Sequence, residues 1–244
     1  MGIHKIFAFI AVSLLTLPIS PAYSATSSQD SFLTPYSAVY STIWKKGITM
    51  KVKGTQTLSK QANGTWQFSF TADNFFASLS EKSTFIVKNH QIIPTHYLYQ
   101  SSAFGKKRKA ELFFDWTKNR VRNDIKNKPW NMSIKPNTVD KLSVQLQIRE
   151  DLKQGKDNFD YLIADGGYTK NWRFKRLKTE NIETKFGEIS AIKMIRTDNK
   201  DSNKQTSFWF APKYDYLLVK LTHKEKGGDS YTLDIESLKV LAKH

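Results

Sequence analysis

The chain reads as mainly β, a strongly curved antiparallel sheet (barrel or half-barrel) with one long helix near the middle. Three observations carry that expectation. Apolar residues alternate at period two through most of the sequence, tight-turn residues fall between the alternating runs, and only Pro136 to Lys153 combines helix formers with a start signal. A β-rich fold of roughly 200–250 residues is commonly one domain. Residues 35–244 are therefore expected to form a single β-rich domain, behind a signal peptide at 1–24 and a flexible leader at 25–34.

The signal peptide follows from the order of residue types. Met1 to Lys5 is mildly basic, and Ile6 to Leu17 is apolar apart from Ser13 and Thr16. Pro18 and Pro21 follow, and Ala22 and Ser24 supply the small residues before a cut at Ala25. The apolar run is shorter than the ~20 residues that a membrane anchor needs. No transmembrane span is expected in the mature chain.

Strand signals begin at Tyr36, with Tyr36, Ala38, Tyr40 and Trp44 on one face and a break at Gly47. Ile48 to Leu58 and Trp66 to Phe70 flank Asn63-Gly64, a dipeptide suited to a tight hairpin because both residues tolerate positive φ. Asn74 to Ser80 reads as an apolar connection. Strands are expected at 83–89, 93–101, 106–116 and 120–126, with Phe104-Gly105 and Thr117-Lys118-Asn119 as turns. Trp130 and Met132 lie between Pro129 and Pro136 and are expected to face the core. Beyond the central segment, Asp165-Gly166-Gly167 turns between strands at 159–164 and 168–177, and shorter strands fill 182–185 and 189–196. After a polar loop at 198–203, a strand at 206–210 stops at Pro212, which cannot donate to a ladder. Strands at 216–223 and 231–240, separated by Gly227-Gly228, end the chain.

The central segment supports two readings. Leu142, Val144, Leu146 and Ile148 alternate as in a strand. Helix formers dominate the segment, however, with Asn137 placed to cap and Asp140 in the first turn, where the helix dipole favours negative charge. Drawn as a helix, Val139, Leu142 and Leu146 form one stripe, and Val144, Ile148 and Leu152 form another roughly opposite. A helix apolar on two sides is buried on two sides.

Composition removes several kinds of chemistry. Cysteine is absent, which excludes disulfides, thiolate nucleophiles, zinc–sulfur sites and a lipobox; the mature protein is expected to be soluble, unlipidated and periplasmic. Net charge is +16, and loss of Met1 to Ser24 with its single lysine leaves 37 basic against 22 acidic residues. That balance favours anionic partners, a lipid or glycan rather than nucleic acid given export, unless the lysines are merely solvated surface. His90, His96, His223 and His244 form no metal motif, and neither a Gly-x-Ser-x-Gly elbow nor a phosphate-binding glycine loop occurs. No cofactor and no metal are expected. Asp140 and Ser143 share a helix face, but a charged first turn beside a small residue that allows close packing explains them better than a nucleophile does. Glu111 and Asp115 share a strand face without being neighbours. The inventory weighs against an enzyme.

Two stretches are candidates for binding. Lys106-Lys107-Arg108-Lys109 opens a strand and suits phosphate headgroups or anionic glycans; lysines at a strand end also deter edge-to-edge aggregation. Phe75, Phe76 and Leu79 suit the mouth of an apolar cavity, contact with acyl chains, or a plug for one end of the core.

Several spaced motifs together resemble the exported bacterial family catalogued as domain of unknown function 3108. They are Tyr36-x3-Tyr40-x3-Trp44-x2-Gly47, Phe114-Asp115-Trp116, Asp140-x-Leu142-Ser143 leading to Arg149, Gly187, and Trp209-x-Ala211-Pro212, within a match from about Tyr36 to Leu238. One departure is Leu218, which stands before Val219 where the family tends to place proline. The resemblance implies an envelope protein with a curved antiparallel sheet and a helix after its first half, and carries no catalytic residues. The fold it implies is similar to periplasmic lipoprotein and lipid carriers, a likeness of fold rather than of function. Three functions remain in view. The leading one is a soluble periplasmic binding protein for an amphipathic, anionic lipid or lipid-linked envelope ligand. The second is a non-enzymatic structural or interaction module without a cavity, and the third a hydrolase with scattered site residues.

Overall fold

The computed structural model describes residues 32–46, 48–103, 105–125, 128–198, 204–225 and 227–241. The expected signal peptide at 1–24, the leader up to residue 31, Gly47, Phe104, Lys126, most of the loop at 198–203 and His244 lie outside the described residues.

Two antiparallel meanders make the fold. The first runs through β1 (Tyr36–Lys46), β2 (Ile48–Lys60), β3 (Trp66–Asp73) and β4 (Ala77–Lys88). It continues through β5 (Gln91–Ala103), β6 (Lys106–Asp115), β7 (Arg120–Ile125) and β8 (Lys128–Ser133). The second starts with β9 (Val139–Asp140), passes through α1 (Val144–Lys153), and returns as β10 (Phe159–Asp165) and β11 (Tyr168–Thr184). It ends with β12 (Gly187–Arg196), β13 (Gln205–Ala211), β14 (Leu217–Lys224) and β15 (Ser230–Val240). β15 pairs with β1 from Tyr36↔Val240 to Lys45↔Ser230, which joins both meanders into one 15-stranded sheet with β8 and β9 at its ends. β9 pairs parallel to β10; the other ladders are antiparallel.

No ladder joins β8 to β9 among the described residues, so the sheet is open. Its first flank nevertheless abuts its second. The Trp130 ring of β8 lies on Gly167, where an added Cβ would fall 1.7 Å from the ring, and Gly167 also holds φ +100°. Only glycine satisfies both conditions. Met132 is buried as expected, whereas Trp130 keeps one side exposed.

One face of the sheet carries the core. Period-two alternation puts Tyr36, Ala38 and Tyr40 of β1, Trp66, Phe68 and Phe70 of β3, and Phe208 and Phe210 of β13 on it. A chain of ring contacts crosses its second half, Tyr161 to Phe174 at 5.9 Å, Phe174 to Phe208 at 5.5 Å, and Phe208 to Phe210 at 6.3 Å.

The central segment corrects the expectation of a long helix. The helix occupies ten residues, Val144–Lys153, about 15 Å of rise. Ahead of it Asn137 is left-handed with φ 63°, and Val139 pairs with Ile163. Ladder bonds to β10 take up the backbone that a longer helix would have used. Burial on two sides holds, since Val144, Leu146, Ile148 and Leu152 are all buried, as are Gln147, Arg149, Glu150 and Asp151. Glutamine side chains tie the helix to the first meander. Gln147 Oε1 accepts the Ile92 N–H at 2.8 Å, Gln147 Nε2 donates to the His90 carbonyl at 3.1 Å, and Gln56 Nε2 donates to Gln145 Oε1 at 3.3 Å.

Two further boundaries differ from expectation. Residues 168–184 form one 17-residue strand, with a register shift against β12 between Arg176 and Thr179. β4 begins at Ala77, so most of the expected apolar connection at 74–80 is strand.

Candidate ligand-binding site

The β3–β4 turn presents two aromatic rings to solvent. Asn74 Oδ1 accepts the N–H groups of Phe76 (2.9 Å) and Ala77 (2.8 Å), and the Asn74 N–H donates to the Ala77 carbonyl at 2.8 Å. This side-chain-closed turn is a known use of asparagine. It leaves Phe75 95% and Phe76 58% exposed, with the rings edge to face at 5.1 Å. Leu79, expected alongside them, lies inside β4, half buried against the core. The aromatic trio is therefore split into an exposed pair and a packing residue.

The register brings the basic stretch to the same end of the sheet. Ala77 pairs with Ala103, which pairs with Lys106; Leu79 pairs with Ser101, which pairs with Arg108. Two ladder steps of 4.7–4.9 Å put the start of β6 about 10 Å from the start of β4. Paired residues share a face, so Lys106 and Arg108 project on the face that carries Leu79, while Lys107 and Lys109 project on the other. Lys109 is committed, its ammonium 2.8 Å from Glu111 Oε2 while His96 Nε2 holds Glu111 Oε1 at 2.8 Å. Lys106, Lys107 and Arg108 are exposed and form no ion pair among the described residues. The candidate site thus supplies two rings and three free cations at one rim.

Further along the core face, Tyr97 O–H donates to the Glu81 carboxylate. Burial raises the Glu81 carboxyl above its ordinary 4.5, with the Tyr97 hydrogen bond and Lys141 offsetting part of the rise. A raised folded-state pKa means that the group's contribution to stability is full below the unfolded pKa and is lost as pH rises through the folded value. The variant Glu81→Gln keeps an acceptor for Tyr97 and removes the charge. Its stability relative to the parent is expected to improve steadily as pH rises from 4.5 to 8, measured by urea denaturation midpoints. Equal pH profiles would refute the assignment.

Asp140 and Ser143, candidates for chemistry in the sequence, are fully buried and spend their polar atoms on the fold. Asp140 Oδ2 accepts from Ser83 Oγ at 2.6 Å, and Asp140 Oδ1 accepts the N–H groups of Leu142 (2.9 Å) and Ser143 (2.8 Å). The Ser143 hydroxyl oxygen accepts the Asp140 N–H at 3.3 Å. Together they close the turn that launches α1. Among the described residues no group of three His, Asp or Glu side chains is arranged to hold a metal ion. No helix there is long and apolar enough to cross a membrane.

Sequence reasoning missed a set of polar atoms on the core face. Asn123 is 0% exposed, and neither its amide oxygen nor its nitrogen has a hydrogen-bond partner; Thr42 Oγ1 and Trp172 Nε1 are likewise buried and unpartnered. Asn123 pairs with the buried Leu112, Thr42 with Leu233, and Trp172 with Tyr161, each partner belonging to or packed on the core. An asparagine in a short strand is the one signal that the sequence offered, and turn chemistry explains most asparagines equally well.

The chain belongs to the family described as Protein of unknown function (DUF3108), whose model matches residues 36–236. No curated protein matches it. Among solved structures, a β-barrel-like protein of domain of unknown function DUF1849 from Brucella abortus superposes with TM-score 0.59 at 10% identity, covering 86% of this chain and 99% of that one. That likeness shows a shared fold. A candidate lipoprotein from Parabacteroides distasonis (TM-score 0.32, 10% identity, 85% and 96% covered) is also similar in part. So is a candidate outer membrane lipoprotein-sorting protein domain from Vibrio parahaemolyticus (TM-score 0.24, 11% identity, 88% of each).

Proposed function

We propose that this DUF3108 protein is a soluble, unlipidated periplasmic binding protein whose sheet wraps as a half-barrel around an amphipathic, anionic ligand, a lipid or lipid-linked envelope component. The supporting observation is the pairing of unpartnered buried polar atoms with rings on one face. Asn123 offers a donor and an acceptor, and Trp172 a donor, on a face built mostly from aromatic and aliphatic side chains. Mostly apolar surface with a few placed polar groups is the usual make-up of a small-ligand site. Lys106 and Arg108 stand at the end of that face, where a charged headgroup would emerge, and Phe75 and Phe76 flank the way in.

Solvent extraction of protein purified from its own envelope, followed by mass spectrometry, tests the reading, together with titration by lysophosphatidylglycerol below its micelle threshold. A co-purifying anionic amphiphile and saturable binding are expected. Asn123→Leu is expected to weaken binding about tenfold, the worth of one or two hydrogen bonds. No co-purifying amphiphile and no saturable binding would end it. An interaction module without a ligand is the second reading, favoured by the ring contacts of Tyr161, Phe174, Phe208 and Phe210, which occupy part of the same face.

A further inference from the structure

We infer that the β3–β4 turn and the first residues of β6 form a docking surface for an anionic phospholipid bilayer. The inference deepens the rim's role in the proposed function and rests on that reading of the rim as the place where anionic amphiphiles engage. It does not require the interior to hold a ligand.

Several observations converge on this one end of the sheet. Phe75 and Phe76 are consecutive exposed rings, whereas no two of Ile86, Trp130, Tyr168, Phe186 and Val240, the other large exposed apolar residues described, are consecutive. Isolated exposed apolar residues need no explanation, but an adjacent pair at 95% and 58% exposure does. The pair sits at a strand end, on a turn already closed by Asn74, so insertion into an interface would order little additional backbone. Lys106, Lys107 and Arg108 begin about two ladder steps away and are not neutralised by any carboxylate among the described residues. Lys107 projects on the opposite face from Lys106 and Arg108, so the charge surrounds the strand end instead of lining one side. Rings that enter the acyl boundary with cations left at headgroup level are the arrangement that binds a bilayer surface. Charge complementarity selects an anionic surface over a neutral one.

Sedimentation with sucrose-loaded vesicles tests this with the protein as purified from its native envelope. Vesicles of phosphatidylcholine with 30% phosphatidylglycerol are compared with pure phosphatidylcholine, at low salt and at high salt. The parent is expected to bind the anionic vesicles at low salt and to lose most of that binding at high salt. F75S/F76S is expected to lower the partition coefficient at least tenfold. Lys106→Gln, Lys107→Gln and Arg108→Gln combined are expected to lower it on the order of a hundredfold, about fivefold per cation, and to remove the salt dependence. Lack of parent binding to anionic vesicles, or an undiminished F75S/F76S, would overturn the inference. Binding lost in the cation variant while F75S/F76S still binds like the parent would point to an anionic polymer as the partner and overturn it too. Lysolipid binding by the parent protein separates the two proposals. In the parent, vesicle binding absent with lysolipid binding intact sinks the docking surface alone, and the reverse pattern sinks the interior site alone.

Discussion

Replacing Asp140 by alanine is expected to cost about 4 kcal/mol, while Asp140→Asn costs under about 1.5 kcal/mol. Alanine strands three donors at once, the Ser83 hydroxyl and the N–H groups of Leu142 and Ser143, each worth about 1–3 kcal/mol when left unsatisfied in a buried place. Asparagine retains a carbonyl oxygen for both N–H groups and turns an NH2 toward Ser83 Oγ, which can accept after its hydroxyl rotates. It also removes a buried charge, and burial already raises the Asp140 carboxyl above its ordinary 3.8 against the opposing pull of Ser83 and the backbone donors. Because that folded value is raised, Asp140→Asn gains on the parent as pH rises through it. For a chain of this size 1 kcal/mol moves Tm by about 2–4 °C, so calorimetry resolves the two variants easily. Equal losses in both would mean that the charge itself holds the turn.

Asp215→Asn is expected to cost about 2 kcal/mol, a Tm fall of about 4–8 °C. The Arg149 guanidinium is buried in α1, and its Nη2 meets Asp215 Oδ2 at 3.0 Å, with Nε and Nη2 also donating to the Asp215 carbonyl at 3.2 and 3.0 Å. Lys153 Nζ reaches Asp215 Oδ1 at 2.5 Å. Asparagine leaves the buried Arg149 facing the backbone carbonyl and a neutral amide oxygen, without a countercharge from position 215. The expected loss stays below that of a fully enclosed pair because the Asp215 side chain is 42% exposed. Asparagine is the right probe, since Asp215 holds φ 57° in the left-handed region that asparagine tolerates and alanine resists. Thermal melts of Asp215→Asn, Arg149→Met and the double variant form a cycle. Additive losses would show that α1 is not pinned to the β13–β14 connection by this pair.

Much of the sheet was legible because its signals are local. Asn63-Gly64 and Asp165-Gly166-Gly167 mark hairpins that the structure contains, with Gly64, Gly166 and Gly167 all at positive φ. The strand ending before Pro212 stops at Ala211, and a 3-10 turn at Pro212–Tyr214 follows. The central segment misled because its cap signals are also local, whereas the competing bonds are not. Asp140 answers to Ser83, 57 residues earlier, and Val139 to Ile163. The continuity of β11 was hidden for a related reason: its mid-part is largely exposed, so polar residues through Asn181 resemble a loop.

The candidate site was half legible. Phe75, Phe76 and the run from Lys106 to Lys109 stand out in the sequence, but only the ladder through β5 makes them neighbours, and only the ion pair with Glu111 removes Lys109 from the available charge. Asn123 gave only the signal of an asparagine in a short strand, because being unpartnered is a property of its surroundings.

The central claim is that the aromatic core face accepts an anionic amphiphile behind the basic rim. Tryptophan fluorescence during titration with lysophosphatidylglycerol brominated along its acyl chain measures this most directly, using a variant in which Trp172 is the sole remaining tryptophan. Saturable quenching near one ligand per chain, weakened by Asn123→Leu and by loss of Lys106 and Arg108, is the predicted result. Trp172 fluorescence unchanged at saturating lysolipid, in a variant that remains folded, would contradict the account.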